Sequence, residues 1–174
     1  MKKTFLALLL ILVIAANAAC ISAKPEPGKI IDDAGREIHL NSTPIRIVSH
    51  VPSITETIFD LGLGDKLLAD SNYCDYPEAA KTKLKIGGYF TPSIEEIVAM
   101  KPDLVLTDGE VPELITKLDS LAIPVLVIDP KDINGVLKDI ELLGNITGSQ
   151  KKAVEINTDF EKRVKAVTDK VMPL

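Results

Sequence analysis

The side chains best suited to chemistry are aromatic rings clustered within residues 71–108. Four of the seven aromatic residues of the chain lie there, namely Tyr73, Tyr76, Tyr89 and Phe90. Each stands close to asparagine, proline or glycine, which are typical of turns, so we expect the rings on loops, where packing alone rarely requires an aromatic side chain. Rings on loops suit contact with a small molecule. We therefore predict that this stretch forms the wall of a small-molecule pocket.

Two further side chains in the same part of the chain could bind a metal. His50 stands beside Pro52 at the end of a predicted strand, where it could coordinate iron or another metal together with Glu56 or Cys74. A single histidine without a second one nearby more often lines a pocket, so we predict no metal site. Cys74 is expected to be a small, buried or half-buried residue that forms no internal disulfide.

The elements that must position these residues follow from apolar periodicity and capping patterns. Ser53-Ile54-Thr55-Glu56 and Ser93-Ile94-Glu95-Glu96 have the S-x-x-E form of a capping box, so each predicts the start of a helix. Short apolar runs predict buried strands, and apolar residues at helical spacing predict further helices. The strands are expected at 45–49, 67–70, 103–107 and 124–129, and the further helices at 111–121, 132–144 and 149–171.

Alternating strands and helices predict an α/β fold, a single Rossmann-like lobe with a parallel sheet flanked by helices. A small edge hairpin is expected at 29–40, with His39 pointing to solvent. Ligands of such folds lie beyond the carboxyl ends of the strands, here 49–52, 70–74 and 107–109. The last helix is rich in Lys and Glu and has a thin apolar stripe, which predicts a surface element or a connecting spine.

The first residues have the three parts of a secretory signal. Two lysines precede an apolar run over 5–16 and then small residues, so we predict a signal peptide at 1–20 and a linker at 21–28. An uncleaved membrane anchor is the alternative, although the run is shorter than the ~20 residues of a span. Cys20 follows Ala18 and Ala19 as in a lipoprotein site, whereas Asn17 departs from the lipoprotein pattern. Lipidation at Cys20 and ordinary cleavage both stay open.

The charge of the chain argues against nucleic acid as a partner. The full sequence has 20 basic and 25 acidic side chains, and removal of 1–20 takes away two lysines and no acid, which leaves a net charge of −7. An acidic surface repels phosphates. The expected location is outside the cytoplasm, in the periplasm or at the cell surface, with a lipid anchor to the membrane if Cys20 is acylated.

Four stretches of the chain resemble a known family: RIVSHVPSITE at 46–56, NYCDYP at 72–77, GG at 87–88 and IEEIVAMKPDLV at 94–105. They look like the N-terminal lobe of the substrate-binding proteins of ABC importers for cobalamin, ferric siderophores and haem, the class III type with a long helix. The resemblance implies two α/β lobes joined by that helix, with the ligand held between them. It assigns 29–147 to the first lobe and 148–174 to the connecting helix.

The resemblance also implies roles for single residues. Tyr73 matches an aromatic residue that contacts the corrin ring in cobalamin binders, and Tyr89 falls where a second pocket aromatic is found. Glu95 matches the carboxylate that pairs with arginines of the membrane permease during docking. The ligand-binding residues expected from this comparison are Tyr73, Tyr89, Phe90, Pro52, Ser53 and Cys74. The expected ligand is cobalamin, with haem or a ferric siderophore as alternatives, and no cofactor or catalysis is expected.

The chain departs from the family by the absence of a second lobe after the long helix. Full-length members carry there a second docking carboxylate and half of the pocket, so we expect one lobe alone to bind weakly. A truncated or split product, or a lobe that acts as an interaction module without transport, is the main alternative. An exported metal-dependent hydrolase is a further alternative, against which the sequence has no G-x-S-x-G, H-E-x-x-H or Gly-rich phosphate loop.

Overall fold

The computed structural model describes residues 30–171. The predicted signal peptide at 1–20, its Cys20 and the predicted linker at 21–28 lie outside this range. Within residues 30–171, no helix combines the length and the apolar character that crossing a membrane requires.

An antiparallel hairpin opens the described chain. Its strands are β1 (Ile30–Ile31) and β2 (Glu37–Ile38). His39 follows the hairpin with 78% of its side chain exposed, so both the hairpin and the solvent position of His39 are confirmed. The hairpin forms a sheet of its own, attached by Arg36, which donates hydrogen bonds to the buried Asp32 at 3.0 Å and to Asp119 at 2.9 Å.

A five-stranded parallel sheet forms the centre of the lobe, in the order β5-β4-β3-β6-β7. The chain adds β4 and β5 on one side of β3, then crosses back and adds β6 and β7 on the other. The carboxyl ends of β3 and β6 therefore mark the switch point, where α/β folds form their binding crevice. The five strands are β3 (Ile47–Ser49), β4 (Leu67–Asp70), β5 (Leu84–Lys85), β6 (Leu104–Thr107) and β7 (Val125–Val127).

Five α-helices connect or follow these strands, with short 3₁₀ turns at Gly64–Lys66 and Glu78–Thr82. The helix at the end of the described chain is the longest of them. The predicted fold class, a parallel sheet flanked by helices and followed by a long helix, is confirmed. The helices are α1 (Pro52–Asp60), α2 (Ile94–Ala99), α3 (Pro112–Ser120), α4 (Ile133–Thr147) and α5 (Gln150–Val171).

Apolar side chains cover both faces of the sheet because neighbouring residues of a strand point to opposite sides. On β3, Ile47 packs into one core cluster with α1 and α4, whereas Val48 packs into a second cluster with α2 and α3. All residues of β3, β6 and β7 are buried. Burial on both faces leaves only the strand ends available for a site.

The two predicted capping boxes behave differently. Ser93 caps α2, since its Oγ accepts the N–H of Glu96 at 3.3 Å. The box at Ser53 is wrong, because α1 begins at Pro52, so Ser53 lies inside the helix and not at its cap, and α1 has no side-chain cap. A proline suits a first helical position, since its missing N–H would have no partner there. The third residue of that pattern, Thr55, is buried and bonds inside the lobe instead.

Helix α5 packs on α4 only through its first turns. Ala153 is its one buried residue, and it contacts Gly144, where an added Cβ would lie 2.5 Å from the Ala153 side chain. Farther along, Val154 and Val167 are 63% and 60% exposed. The prediction of a long helix with a thin apolar stripe is confirmed.

Candidate functional site

The carboxyl ends of the strands carry the loops on which the aromatic residues were predicted. The loops after β4 and β5 are joined by a hydrogen bond from the N–H of Asn72 to the carbonyl of Gly87, at 2.9 Å. Gly87 has a positive φ of 98°, and an added Cβ would lie 2.7 Å from the carbonyl oxygen of Thr91. Only glycine fits this turn without strain, which explains the glycine at position 87.

Three aromatic rings are exposed on these loops. Tyr73 and Tyr76, after β4, are 63% and 64% exposed, and Phe90, after β5, is 74% exposed. Large exposed rings grouped on neighbouring loops are typical of binding surfaces, because water solvates them poorly. The prediction that the rings lie on loops at the strand ends is confirmed; that they contact a ligand stays a prediction.

Tyr89 differs from its neighbours because both ends of its side chain are held. Its ring stacks on the imidazole of His50, with 5.3 Å between ring centres and 13° between planes. Its hydroxyl donates a hydrogen bond to Oδ2 of Asp108. The ring of Phe90 stands edge-on to it at 4.7 Å. Tyr89 thus forms a fixed base from which Phe90 projects into solvent.

The hydroxyl of Tyr89 should titrate abnormally. Burial raises its pKa, and the hydrogen bond to Asp108 and the negative charge of that carboxylate raise it further. In Asp108→Asn we expect the titration of Tyr89 to move downward by about one pH unit or more, because the neighbouring charge is lost. Phenolate absorbance measures this, with Tyr89→Phe subtracted in each background to isolate Tyr89. Equal midpoints with and without Asp108 would contradict the assigned contact.

His50 lies behind the aromatic wall, the surface formed by Tyr73, Tyr89 and Phe90, and is fully buried. Its Nε2 lies 2.7 Å from the carbonyl oxygen of Tyr89, and its Nδ1 lies 3.1 Å from Oγ1 of Thr107. Burial lowers the pKa of His50, against the opposing effects of the Tyr89 carbonyl and Asp108. Among residues 30–171, no group of three or more His, Cys, Asp or Glu side chains is arranged to hold a metal ion.

Acidic side chains surround the aromatic wall. The charges of Asp108, Glu110 and Asp129 all act on the hydroxyl of Tyr89. Lys131 lies in the same region and pairs with Asp129. Arg46 binds the carbonyls of Met100 and Lys101, which precede β6 and therefore lie at the opposite edge of the sheet.

Arg36 also lies away from the wall, since it donates to the carbonyl of Val125 at the start of β7, at 2.7 Å. The third arginine of the described chain, Arg163, lies on the exposed part of α5, with Asp159 at 4.0 Å. No guanidinium group of residues 30–171 therefore faces the wall.

Residues 47–174 match the family described as periplasmic binding protein, which is more than half of the chain. The chain belongs to the periplasmic binding protein family. This is a family of binding proteins and not of enzymes. Its members bind small molecules and typically deliver them to ABC permeases.

Individual members of the periplasmic binding protein family show similarity over the same region. The vitamin B12-binding protein of Yersinia pestis is 34% identical over 127 residues, which is 72% of this chain and 45% of that protein. The periplasmic vitamin B12-binding protein BtuF of Vibrio cholerae has a solved structure with a TM-score of 0.68 and 29% identity, over 74% of this chain and 51% of the other. The chain thus spans about half the length of the relatives it matches.

The fold is also shared with a binding protein for a different ligand. A siderophore-binding protein, BauB, solved with ferric iron and acinetobactin, has a TM-score of 0.74 at 19% identity, over 83% of this chain and 54% of the other. At that identity the similarity concerns the fold alone.

In this periplasmic binding protein, Cys74 is buried, as predicted, and this burial argues against its predicted contact with a ligand. The thiol is only 2% exposed and lies 3.3 Å from the hydroxyls of both Thr55 and Ser71. Thr55 in turn donates to Oγ of Ser49 at 2.8 Å. Cys74 therefore belongs to a buried polar network behind the wall and does not reach the surface, as direct ligand contact would require. Pro52 and Ser53 lie at the start of α1, half-buried and exposed respectively.

An ion pair that no sequence pattern indicated holds the loop of Tyr73 from its buried side. Lys85 donates to the buried Asp70 at 2.6 Å and to the carbonyl of Cys74 at 2.9 Å. Burial raises the pKa of Asp70, and Lys85 partly offsets this. Glu95 lies apart from this cluster, exposed in the first turn of α2. The site therefore combines an exposed aromatic wall with buried polar supports.

Proposed function

We propose that this chain is the ligand-binding lobe of an extracytoplasmic substrate-binding protein of an ABC importer, and that it captures cobalamin. The observation that carries the proposal is the aromatic wall at the carboxyl ends of the strands, formed by the exposed rings of Tyr73 and Phe90 and the half-buried ring of Tyr89. A large flat ligand gains affinity from ring faces. Similarity to vitamin B12-binding proteins supports the choice of ligand.

The charge around the wall favours cobalamin over the two alternative ligands. Haem carries two carboxylates and catecholate siderophores are anionic, so both would meet the repulsion of Asp108, Glu110 and Asp129. Anionic groups are usually bound by arginine, and none of the three arginines in the described chain faces the wall. The amide side chains of the corrin ring are neutral, so these carboxylates do not repel them.

Delivery to the permease is assigned to Glu95. Its carboxylate is exposed at the start of α2, where it is accessible to a basic partner surface. Acylation of Cys20 would tether the lobe to the membrane beside the permease. The hydrolase alternative finds no support among residues 30–171, where the donor groups of a metal site are not brought together.

Calorimetric titration of the secreted chain with cyanocobalamin, haem and a ferric catecholate siderophore tests the proposal. We expect saturable heat with cyanocobalamin alone, at a Kd of the order of 10 µM or weaker, because one lobe covers one side of the ligand. Glu110→Gln should improve haem binding by removing one repelling charge, whereas Glu161→Gln on α5 serves as the matched control. Absence of heat with all three ligands, from a chain shown to be folded, would refute the ligand-capture proposal.

A further inference from the structure

We propose that His50 is a positioning residue that holds Tyr89 in the orientation in which its ring meets the ligand. The inference rests on the proposed ligand-binding function, to which it adds a buried residue that never touches the ligand. It follows from three contacts of one fully buried imidazole: a hydrogen bond to the backbone of Tyr89, a stacking contact with its ring, and a hydrogen bond to Thr107.

The chemistry of these contacts fixes which nitrogen carries the proton. The carbonyl oxygen of Tyr89 only accepts hydrogen bonds, so Nε2 of His50 must be the donor at 2.7 Å. Burial lowers the pKa of His50, which keeps the ring neutral with a single proton. Nδ1 then accepts from the hydroxyl of Thr107 at 3.1 Å. Both nitrogens are satisfied, so the imidazole has one preferred orientation.

The loop of Tyr89 has backbone hydrogen bonds at Gly87 and Gly88, which accept from Asn72 and Thr91, and His50 adds a bond to the carbonyl of Tyr89 itself. The loop follows the short strand β5 and contains Gly87 and Gly88, which restrict the chain less than other residues. The carbonyl of Tyr89 would lose its hydrogen-bond donor without the imidazole. Loss of a donor to a half-buried carbonyl carries a desolvation cost, which the loop would relieve by moving.

The two residues that fix Tyr89 by hydrogen bonds lie on opposite sides of the switch point. His50 follows β3, whereas Asp108, which accepts the hydroxyl of Tyr89, follows β6. Because the Tyr89 hydroxyl already donates its hydrogen bond to Asp108, Tyr89 offers the ligand its ring rather than a hydrogen-bond donor. Phe90, edge-on to Tyr89 at 4.7 Å, takes its own direction from the ring that His50 supports.

The proton position on His50 is a direct test that needs no ligand and leaves His50 itself unchanged. Long-range ¹H–¹⁵N spectra separate the two neutral tautomers, and His39→Leu identifies the signals, because the sequence contains only two histidines. We expect His50 to carry its proton on Nε2 and to stay neutral at pH 7. A proton on Nδ1, or a charged ring at that pH, would overturn the proposal.

Two substitutions separate positioning from general packing. His50→Leu fills the space without a donor, whereas His50→Gln retains an N–H that reaches toward the Tyr89 carbonyl. With ring-labelled tyrosine, assigned by Tyr→Phe variants, we expect His50→Leu to move the Tyr89 signals and leave those of Tyr73 and Tyr76 in place. Affinity for cyanocobalamin should fall roughly tenfold in His50→Leu and stay within about threefold in His50→Gln.

The control is His39→Leu, which removes an exposed imidazole and should change neither signals nor affinity. Unchanged Tyr89 signals in His50→Leu, or equal shifts of all three tyrosines, would overturn the positioning role. If the wild-type chain binds no cyanocobalamin, the proposed function fails, while the tautomer and the tyrosine signals still decide the role of His50. If His50→Leu does not fold, the tautomer measurement decides alone.

Discussion

Tyr73→Ala is expected to weaken the binding of cyanocobalamin by roughly 30-fold or more, which corresponds to about 2 kcal/mol. The ring is 63% exposed in the free lobe, so a flat ligand has considerable aromatic surface left to cover. Few contacts within the lobe depend on so exposed a side chain, and its removal should leave stability within about 0.5 kcal/mol. Equilibrium dialysis, read by the visible absorbance of the corrin, measures the affinity.

Two control variants test whether the loss of affinity is specific to the aromatic ring of Tyr73. Tyr73→Phe retains the aromatic face and should bind within about threefold of wild type, since ring burial and not the hydroxyl carries the contact. Tyr76→Ala removes a neighbouring ring of almost equal exposure, 64%, to which no ligand contact is assigned. An affinity of Tyr73→Ala within twofold of wild type, or a loss in Tyr76→Ala as large as in Tyr73→Ala, would contradict the assignment of Tyr73.

The elements of the fold were predictable where local sequence determines them. The apolar run at 67–70 coincides with β4 (Leu67–Asp70), and Ser93 caps α2 as its pattern indicates. The pattern at Ser53 failed because two other preferences acted there. Pro52 suits the first position of α1, and the Thr55 hydroxyl is buried against Ser49. A capping box describes only local bonds, so it is overridden where a neighbouring residue such as Pro52 places the start of the helix elsewhere.

The exposed half of the site was predictable and the buried half was not. Aromatic residues beside turn formers indicate loops from the sequence alone, and the strand order then brings those loops to one edge. The supports behind them join residues that are distant in sequence, such as His50 with Tyr89 and Asp70 with Lys85. No local pattern encodes such pairs. The alternation that marked His39 as solvent-facing had no counterpart for His50, which lies just beyond the end of a short buried strand.

The buried carboxyl group of Asp139, on α4 beside Asp33 of the hairpin turn, has the largest expected effect on stability. Asp139 is 3% exposed, and neither of its oxygens has a hydrogen-bond donor within the described structure. Burial and then the negative charge of nearby Asp33 raise the pKa of Asp139 to about 7, against the opposing charge of Lys138. The negative charge of Asp129 adds to the increase. Asp139 is therefore protonated in the folded chain over a range in which an unfolded aspartate is ionised.

The sign of the pH dependence follows from this difference in proton binding. Between about pH 4 and pH 7 the folded state holds a proton that the unfolded chain has released, so stability falls as the pH rises and levels off above about 7. A shift of about three pKa units sets an upper limit of about 4 kcal/mol, of which we expect roughly 2 to 4. Asp139→Asn keeps the shape of the side chain without a titrating proton, and should remove this part of the slope.

Urea unfolding at pH 5 and pH 8 measures the effect. At pH 8, Asp139→Asn should be roughly 2 to 4 kcal/mol more stable than wild type, and at pH 5 the two should differ much less. Asp159→Asn on α5, whose side chain is 70% exposed beside Arg163, is the matched control and should change stability by less than about 0.5 kcal/mol at either pH. Parallel pH profiles for wild type and Asp139→Asn would mean that Asp139 is already ionised in the folded chain, and would contradict the raised pKa.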